Sequence, residues 1–450
     1  MSVRKNDRIE LEIKSCTAQG DGIGYYDGLT IFVANAAVGD VVIAHLLKVK
    51  SKIAFAKVEK IIVPSQDRIE VDCPVFSKCG GCTFRHISYE QELEIKQNEV
   101  AQTMKRIGHI EIEPQPIIGA KKYNRYRNKA QYPISIENGN LKIGFFAPRS
   151  HRVVDCRDCL LQPESFENIL ETFDKWVTEN EINIYDEIAH RGLLRHIYIR
   201  QVSGGDTLVC AVINGDSLPH TDRLIEGLTR NNPKIKGIVL NVNKHKTNVI
   251  LGKKCVTIWG DGYITDKLCG LKFRISPLSF YQVNSKQTEK LYEKAAEYAA
   301  LSGNETLFDI YCGIGTIGLT LASKAKQVVG IEIVPDAVEN AKENAKINGI
   351  ENARFICSDA AKAAEQLKSE GVFADVVVVD PPRKGCSPEL LNTIIEMSPD
   401  RLVYISCNPA TLARDCAILD NHGYKTSHLT PVDMFPRTGH VETVVLMSRK

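Results

Sequence analysis

The sequence lacks a transmembrane segment, a signal peptide and a large net charge. Each absence excludes a class of protein. It contains no run of about 18 apolar residues, so no transmembrane helix is predicted. Its beginning, MSVRKNDRIELEIKS, has no apolar signal-peptide core, and we therefore expect a cytoplasmic protein. The formal net charge is only +2, so a polyanion site would have to be a local patch.

Cysteine, in contrast, is abundant. The 450 residues include 14 cysteines and 43% hydrophobic residues, and this length is enough for roughly two to four domains. In a cytoplasmic chain of this size, so many thiols indicate metal ligation or thiol chemistry and argue against a disulfide framework.

Three regions of the chain differ in their patterns. Residues 1–62 alternate β-rich runs with glycine turns, which predicts a small barrel of five strands of the oligonucleotide-binding kind. Residues 63–265 open with clustered cysteines and an amphipathic helix, SYEQELEIKQNEVAQTMKRIG, and continue as mixed strands and helices. Residues 266–450 alternate apolar strands with helices, which predicts an α/β fold: a doubly wound, Rossmann-like sheet that binds ligands at the carboxyl ends of its strands.

The cysteines of CPVFSKCGGC are spaced like metal ligands. Cys73, Cys79 and Cys82 form a C-x5-C-x2-C pattern, and Gly80-Gly81 allows the tight turn that brings the last two together. A fourth thiolate is available from Cys156 or Cys159. Four thiolates suit both zinc and an iron–sulfur cluster, and the spacing does not separate the two.

A glycine-rich loop, DIYCGIGTIG, follows the first strand of the last region. It contains G-x-G-x-x-G from Gly313 to Gly318, and Glu332 ends the next strand. This pattern predicts a nucleotide-type cofactor whose ribose hydroxyls bind to Glu332. A nicotinamide-dependent dehydrogenase is therefore one hypothesis.

Two further features favour S-adenosylmethionine as the cofactor. Asp309 precedes the glycines, where we expect it to accept a hydrogen bond from a cationic amino group. A later strand ends in DPPRKG, which is not expected at a hydride-transfer site. S-adenosylmethionine is cationic and has no pyrophosphate for a helix N-terminus to hold.

The thiol of Cys407, in ISCNPATLARD, is predicted at the end of another strand of this sheet. A thiolate that adds to C6 of uracil makes C5 nucleophilic enough to take a methyl group, after which a base must remove the C5 proton. The last strand, GHVETVVLM, is predicted to carry His440 and Glu442 on one face, and either could be that base. Cytosine C5-methylating enzymes have a cysteine directly after their Asp-x-Pro proline, whereas Arg383 follows Pro382 here, which favours uracil.

A basic segment, KKYNRYRNK, is the predicted RNA contact, because phosphates and unstacked bases both favour its mixture of cations and aromatic rings. Its members are Lys121, Lys122, Tyr123, Arg125, Tyr126, Arg127 and Lys129.

Together these motifs resemble the RNA uracil C5-methyltransferases, which make 5-methyluridine in ribosomal RNA or tRNA. SFYQVN, DIYCGIGTIGL, DPPRKG, SCNPATLARD and HVE carry the resemblance, which extends over nearly the whole chain. It implies a TRAM-like barrel at 1–62, a cysteine-bearing α+β domain at 63–265 and a class I methyltransferase domain at 266–450. It also implies that the target base is flipped out of folded RNA into the active site.

The resemblance also assigns roles to individual residues. It implies Cys407 as the nucleophile and Glu442 as the base. For S-adenosylmethionine it implies Gln282, Tyr311, Gly313, Glu332 and Asp380. For a four-iron, four-sulfur cluster it implies Cys73, Cys79, Cys82 and Cys159. PRTGHVE lacks a second histidine present before HVE in some relatives, so no role of that histidine transfers.

The expected substrate is 23S ribosomal RNA, with tRNA as the alternative, and the expected assembly is a monomer. The sequence leaves two alternative hypotheses for the function: a nicotinamide-dependent oxidoreductase, and a protein that binds RNA and a metal cluster without catalysing a reaction.

Overall fold

The computed structural model describes residues 3–449, which form three main β-sheets in succession along the chain. The first two sheets belong to the predicted barrel and central region, and the third forms the predicted catalytic region. A short antiparallel hairpin, β14 (Ile264–Leu268) and β15 (Leu271–Ile275), connects the second sheet to the third.

The N-terminal sheet has six strands, one more than predicted, because the two-residue strand Ser15–Cys16 pairs with the next one. Its strands are β1 (Arg8–Glu12), β2 (Ser15–Cys16), β3 (Asp21–Tyr26), β4 (Leu29–Ala34), β5 (Val41–Val49) and β6 (Ile53–Val63). They follow the order β1-β5-β6-β4-β3-β2, and contacts between β1 and β3 curl the sheet around an apolar core. This curled sheet confirms the predicted barrel-like fold.

Helix α1 (Tyr89–Ile107) follows the cysteine-rich segment and confirms the predicted amphipathic helix. The Ser88 hydroxyl accepts a hydrogen bond from the Gln91 amide and caps its first turn. Acidic residues in the first turn and basic residues in the last turn complement the helix dipole.

The central sheet has seven strands in the order β13-β12-β11-β10-β7-β8-β9. Its elements are β7 (Lys129–Glu137), β8 (Asn140–Phe146), β9 (Val153–Asp155), α2 (Ser165–Glu179), β10 (Leu194–Gln201), β11 (Thr207–Ile213), α3 (Thr221–Asn231), β12 (Ile235–Val242) and β13 (Lys254–Gly260). Alternate apolar residues of β10, β11 and β12 pack against α2 and α3 and form the core of this α+β unit.

The third sheet also has seven strands, in the order β18-β17-β16-β19-β20-β22-β21. Its elements are α4 (Ser285–Ala299), β16 (Thr306–Ile310), α5 (Thr316–Leu321), a 3-10 turn (Ala322–Lys324), β17 (Gln327–Glu332), α6 (Pro335–Ile347), β18 (Ala353–Cys357), α7 (Ala360–Ser369), β19 (Val376–Val379), α8 (Pro388–Met397), β20 (Arg401–Ser406), α9 (Pro409–Asp420), β21 (Tyr424–Val432) and β22 (Glu442–Arg449).

Five strands of this sheet pair in parallel, whereas β22 runs antiparallel between β20 and β21, so that six strands run in one direction and β22 in the other. The four valines of β19 are all buried, as expected for a strand that helices cover on both faces. The predicted α/β class is therefore confirmed. None of the helices within residues 3–449 is both long and apolar enough to cross a membrane.

A buried ionic network connects α1 to the segment between β21 and β22. The Lys96 ammonium donates hydrogen bonds to Glu92 and Asp433, each 2.7 Å long, and to the Phe435 carbonyl at 3.2 Å. The Tyr89 hydroxyl donates to the other oxygen of Asp433 at 2.6 Å. Because these charges are buried, each depends on its partners to offset the cost of desolvation.

We predict that Lys96→Ala lowers the free energy of unfolding by about 3–5 kcal/mol, because it leaves two buried carboxyl groups without their shared cation. A urea titration followed by the fluorescence of Trp176 and Trp259 measures the change. Lys105→Ala is the matched control, since this lysine of the same helix forms an exposed ion pair with Glu111 and should contribute less than about 1 kcal/mol. Equal effects of the two substitutions would contradict the prediction.

Candidate active site

Four predicted site residues come together where parallel strands of the third sheet end. Tyr311 follows β16, Glu332 ends β17, Asp380 follows β19 and Cys407 follows β20. Since these strands are parallel, their carboxyl ends lie along one edge of the sheet. The antiparallel strand β22 begins at the same edge with Glu442. We call the space bounded by these five residues the crevice.

The register of β20 and β22 places Cys407 next to Glu442. Ser406 pairs with Thr443, so the position after Ser406 lies opposite the position before Thr443. Asn408 then caps α9, because its side-chain oxygen accepts a hydrogen bond from the Ala410 amide. The side-chain amide of Asn408 also donates to the Arg383 carbonyl at 2.9 Å, which fixes the DPPRKG loop against the cysteine loop.

The environment of Cys407 favours the neutral thiol in the free protein. Burial raises the pKa of the Cys407 thiol to about 11, and the carboxyl groups of Glu442 and Asp380 contribute to the rise. The guanidinium of Arg383 acts in the opposite direction and lowers this pKa. Arg383 is thus the cation that stabilises the thiolate, a role that the sequence comparison with cytosine enzymes did not assign.

Glu442 is a buried carboxyl group inside the crevice, with 3% of its surface exposed. Burial and the neighbouring Asp380 raise its pKa well above the ordinary value, while Arg383 lowers it. Within residues 3–449, its Oε2 has no hydrogen-bond partner. Burial and the charge of Asp309 likewise raise the pKa of Asp380. Such a raised pKa is typical of a carboxylate that exchanges protons near neutral pH.

His440 does not lie on the last strand, contrary to the prediction. The strand begins at Glu442, and His440 belongs to the preceding loop, where its Nε2 lies 3.2 Å from a guanidinium nitrogen of Arg383. Desolvation and the charges of Arg383 and Arg127 lower the pKa of His440 to about 4, so the ring is neutral at physiological pH. The carboxyl group, not the imidazole, therefore shares the buried space with Cys407.

The glycine loop is closed by Glu332. The Gly313 amide donates a hydrogen bond of 3.1 Å to one carboxylate oxygen of Glu332, and the other oxygen accepts from the two amides that follow it. Gly313 and Gly315 have φ values of 55° and 81°, which an L side chain would strain. Tyr311 also adopts a left-handed conformation, with φ 66°, and this turn orients the backbone at the edge of the crevice.

Asp309 supports the glycine loop, and its predicted contact with a cationic amino group stays a prediction, since its Oδ1 has no hydrogen-bond partner within residues 3–449. Its side chain is fully buried beneath the glycine loop, where Oδ2 accepts a hydrogen bond of 2.7 Å from the Gly318 amide. A Cβ on Gly318 would lie 2.8 Å from the same oxygen, so this glycine allows the close approach. Asp309 therefore supports the loop and the start of α5.

Gln282 lies in a segment that links the central sheet to the crevice. It is buried, and its carbonyl accepts a hydrogen bond of 2.9 Å from the side chain of Asn128. Two positions on, the side-chain amide of Asn284 donates to the Met434 carbonyl at 3.1 Å. These bonds hold the SFYQVN segment against the loop that precedes Glu442.

Comparison with known proteins identifies the family. Residues 244–450 match the model of the tRNA (uracil-5-)-methyltransferase family, and residues 3–58 match that of the TRAM domain. An RNA methyltransferase of Clostridium tetani is 44% identical over 447 residues, covering 99% of this chain and 97% of the relative. One from Halalkalibacterium halodurans is 46% identical over 450 residues, covering 100% and 98%.

The chain belongs to the RNA uracil-5-methyltransferase family. It is an S-adenosylmethionine-dependent RNA (uracil-C5-)-methyltransferase. The solved structure of the tRNA (uracil-54, C5)-methyltransferase of Pyrococcus abyssi, in complex with S-adenosylhomocysteine, is similar throughout. It shares 28% identity and a TM-score of 0.77, with 97% of this chain and 99% of that chain covered.

The predicted cluster cysteines of the methyltransferase lie near one another. Burial raises the pKa of the Cys79 thiol, and Cys159 and Cys73 raise it further; Cys82 lies near Cys79 and Cys159. Cys156 also adjoins Cys159. Across residues 3–449, no three side chains from His, Cys, Asp or Glu are arranged to hold a single metal ion.

Much of the basic segment is used within the protein. Arg125 forms a 2.5 Å ion pair with Asp158 and donates to two carbonyls of the loop that carries Cys159. The Tyr126 hydroxyl donates to the Pro436 carbonyl at 3.0 Å. Burial beside Arg200 and Arg127 lowers the pKa of Lys129 to about 8. Only Lys121, Lys122 and Tyr123 of the segment are exposed.

We predict that the alkylation rate of Cys407 by iodoacetamide rises about tenfold per pH unit between pH 7 and 9.5, because the reactive thiolate is a minor species below its pKa. Arg383→Gln should slow alkylation at every pH in this window, since it removes the charge that lowers this pKa. Peptide mapping by mass spectrometry separates Cys407 from the other thiols.

Lys384→Gln is the matched control, because it removes a cation from the same loop that does not act on the thiol. A rate at Cys407 that is independent of pH in this window would contradict a pKa of about 11.

Proposed function

We propose that the methyltransferase acts on C5 of uracil in 23S ribosomal RNA, with Cys407 as the nucleophile and Glu442 as the base. The observation that carries this proposal is the position of a half-buried thiol opposite a buried carboxyl group at the open edge of the sheet. tRNA is the alternative substrate, and the family model and the Pyrococcus abyssi relative favour it.

The crevice is suited to a cationic cofactor. Asp309 is close enough to Asp380, and Asp380 to Glu442, for their charges to interact, which makes Asp380 and Glu442 harder to ionise. A cation beside Asp380 would offset this repulsion. Gln282, Tyr311, Gly313, Glu332 and Asp380 would hold S-adenosylmethionine, with Glu332 at the ribose. When bound, it supplies a methyl group on a sulfonium cation.

The proposed steps use groups that are already in place. The Cys407 thiolate, stabilised by Arg383, forms a bond to C6 of the flipped uracil, and the electron pair moves toward C5 and O4. C5 then receives the methyl group. The Glu442 carboxylate removes the remaining C5 proton, the C5–C6 double bond forms again, and the C6–S bond breaks to release the thiolate.

We predict that Glu442→Gln accumulates a covalent complex with RNA, because the amide cannot accept the C5 proton and the C6–S bond persists. With S-adenosylmethionine and a mixture of in vitro transcribed 23S rRNA and tRNA, a band resistant to denaturing electrophoresis should contain 23S rRNA. Glu442→Gln/Cys407→Ala is the matched control and should form no such band.

Methylated, free RNA released by Glu442→Gln at the wild-type rate would disprove the role of this residue as the base. A band containing tRNA alone would establish the alternative substrate and leave the proposed mechanism intact.

We further propose that Cys73, Cys79, Cys82 and Cys159 bind a four-iron, four-sulfur cluster. Their proximity and the four-thiolate donor set support it. In such a cluster each cysteine binds a different iron atom, so the thiolates need not converge on one point. The proposed reaction uses none of these four thiols.

We predict that the protein purified without oxygen is brown and contains iron and acid-labile sulfide. Cys82→Ser should lose most of this iron, because one of the four thiolates is removed. Cys255→Ser, at an exposed cysteine of β13, is the matched control and should retain it. A colourless wild-type protein with stoichiometric zinc would overturn the assignment.

A further inference from the structure

A cavity of about 580 Å³ opens on the central sheet, and none of its lining residues belongs to the crevice. Its volume lies within the range of small-ligand sites. Three segments that are distant in the sequence form its walls: residues 146–151 at the end of β8 and just after it, His196 on β10, and residues 247–250 before β13. We call it the β8–β10 cavity. Gly80, between the cluster cysteines, also reaches its wall.

Aromatic rings form one side of the β8–β10 cavity. The Phe146 ring packs edge-to-face against His151, with ring centroids 5.4 Å apart, and against His196 at 6.4 Å. Phe146 is half-buried and His151 is exposed, so part of this surface is open to a ligand. Flat aromatic and imidazole faces are the groups on which unpaired nucleobases stack.

His196 lines the same cavity and carries an unpaired polar atom. Only 3% of the residue is exposed, and its Nδ1 has no hydrogen-bond partner within residues 3–449. Burial and the adjacent Arg195 lower the pKa of His196 to about 3, so the ring is neutral. A neutral ring nitrogen either donates or accepts, as the edge of a base requires, and a ligand that bonds to it removes the cost of leaving it unpaired.

The charges around the β8–β10 cavity suit a polyanion. Arg149 lines it from one side, at a turn tip with φ 56°, and Lys246 is exposed beside the opposite wall. Arg149 also lies near Asp21 of the N-terminal sheet. The acid in the wall, Glu187, is paired with Arg195 at 3.2 Å, so its charge is compensated. An apolar peptide groove would not carry this mixture of rings and cations.

We infer that the β8–β10 cavity binds an unpaired nucleobase of the substrate RNA, at a position other than the methylated uridine. The base stacks on Phe146 and His151 and bonds to His196, while Arg149 and Lys246 contact the flanking phosphates. The inference rests on the proposed function, since it takes the bound polymer to be the RNA that is methylated. It gives the central domain a part in choosing that RNA.

The test compares Arg149→Ala and His151→Ala with wild type, using in vitro transcribed 23S rRNA. Each substitution should raise KM for this RNA about tenfold and leave kcat within about twofold, because a stacked base contributes to binding but not to the chemical step. Arg152→Ala is the matched control: it removes the same charge from the same loop, but Arg152 does not line the cavity. Unchanged affinity for S-adenosylhomocysteine verifies that each variant is folded.

Ultraviolet cross-linking of wild type to the same RNA, followed by mass spectrometry, should place a nucleotide on the peptide that contains Phe146 and His151. If KM rose equally in Arg149→Ala and Arg152→Ala, the loss of any positive charge from this loop would explain the effect. That result would overturn the inference. The inference would also be overturned if Arg149→Ala and His151→Ala had the KM of wild type on naked RNA and a raised KM only on ribosomal particles that carry protein. That result would mean that the cavity binds a protein.

The failure of the proposed function gives a different result. If wild type methylates neither 23S rRNA nor tRNA, the proposed substrate is wrong, and the cross-link still reports whether the cavity binds RNA. If wild type methylates 23S rRNA and both cavity variants keep its KM, only the cavity inference is wrong.

Discussion

The pairing of β20 with β22 is the constraint on which the candidate chemistry depends. The parallel strands of the sheet all end at the edge that carries the crevice. Only an antiparallel strand can therefore begin at this edge. That strand is β22, and its first residue is Glu442. A shift of one residue would turn every side chain of β22 to the opposite face. The buried Val444, Val445 and Met447 pack on the two faces of the sheet and therefore fix the register that sets Glu442 beside Cys407.

The same arrangement makes ionisation of the acidic groups in the crevice unfavourable until a cation is present. Three interacting carboxyl groups and a thiol are brought together, and burial raises the pKa of each one. Arg383 is the protein cation that opposes this trend for Cys407 and Glu442. It is positioned by its backbone, since the Asn408 side chain donates to its carbonyl. The residue after DPP, which distinguished this sequence from cytosine-modifying enzymes, thus lowers the pKa of both Cys407 and Glu442.

The sequence predicted features that depend on local pattern better than those that depend on distant contacts. Apolar runs between helices identified the parallel sheet, and its topology placed Glu332, Asp380 and Cys407 at one edge. The position of Asp309 before the glycines suits a ligand contact as well as a support for the loop, and only the structure reveals its hydrogen bond from the Gly318 amide. The β8–β10 cavity was not predictable, because its walls come from segments about 50 residues apart in sequence that only the fold brings together.

The loop from Asp433 to Val441 contains His440, which the sequence pattern predicted to lie on the last strand. A Cβ on Gly439 would lie 2.1 Å from the Ala18 carbonyl oxygen, so the turn between β2 and β3 packs directly on this loop. The Arg437 carbonyl accepts a hydrogen bond of 2.7 Å from the amide of Thr83, the residue after Cys82. Lys96 of α1 binds the other end through Asp433. The N-terminal domain, the cysteine-rich segment and α1 therefore all contact the segment that leads into Glu442, the proposed base.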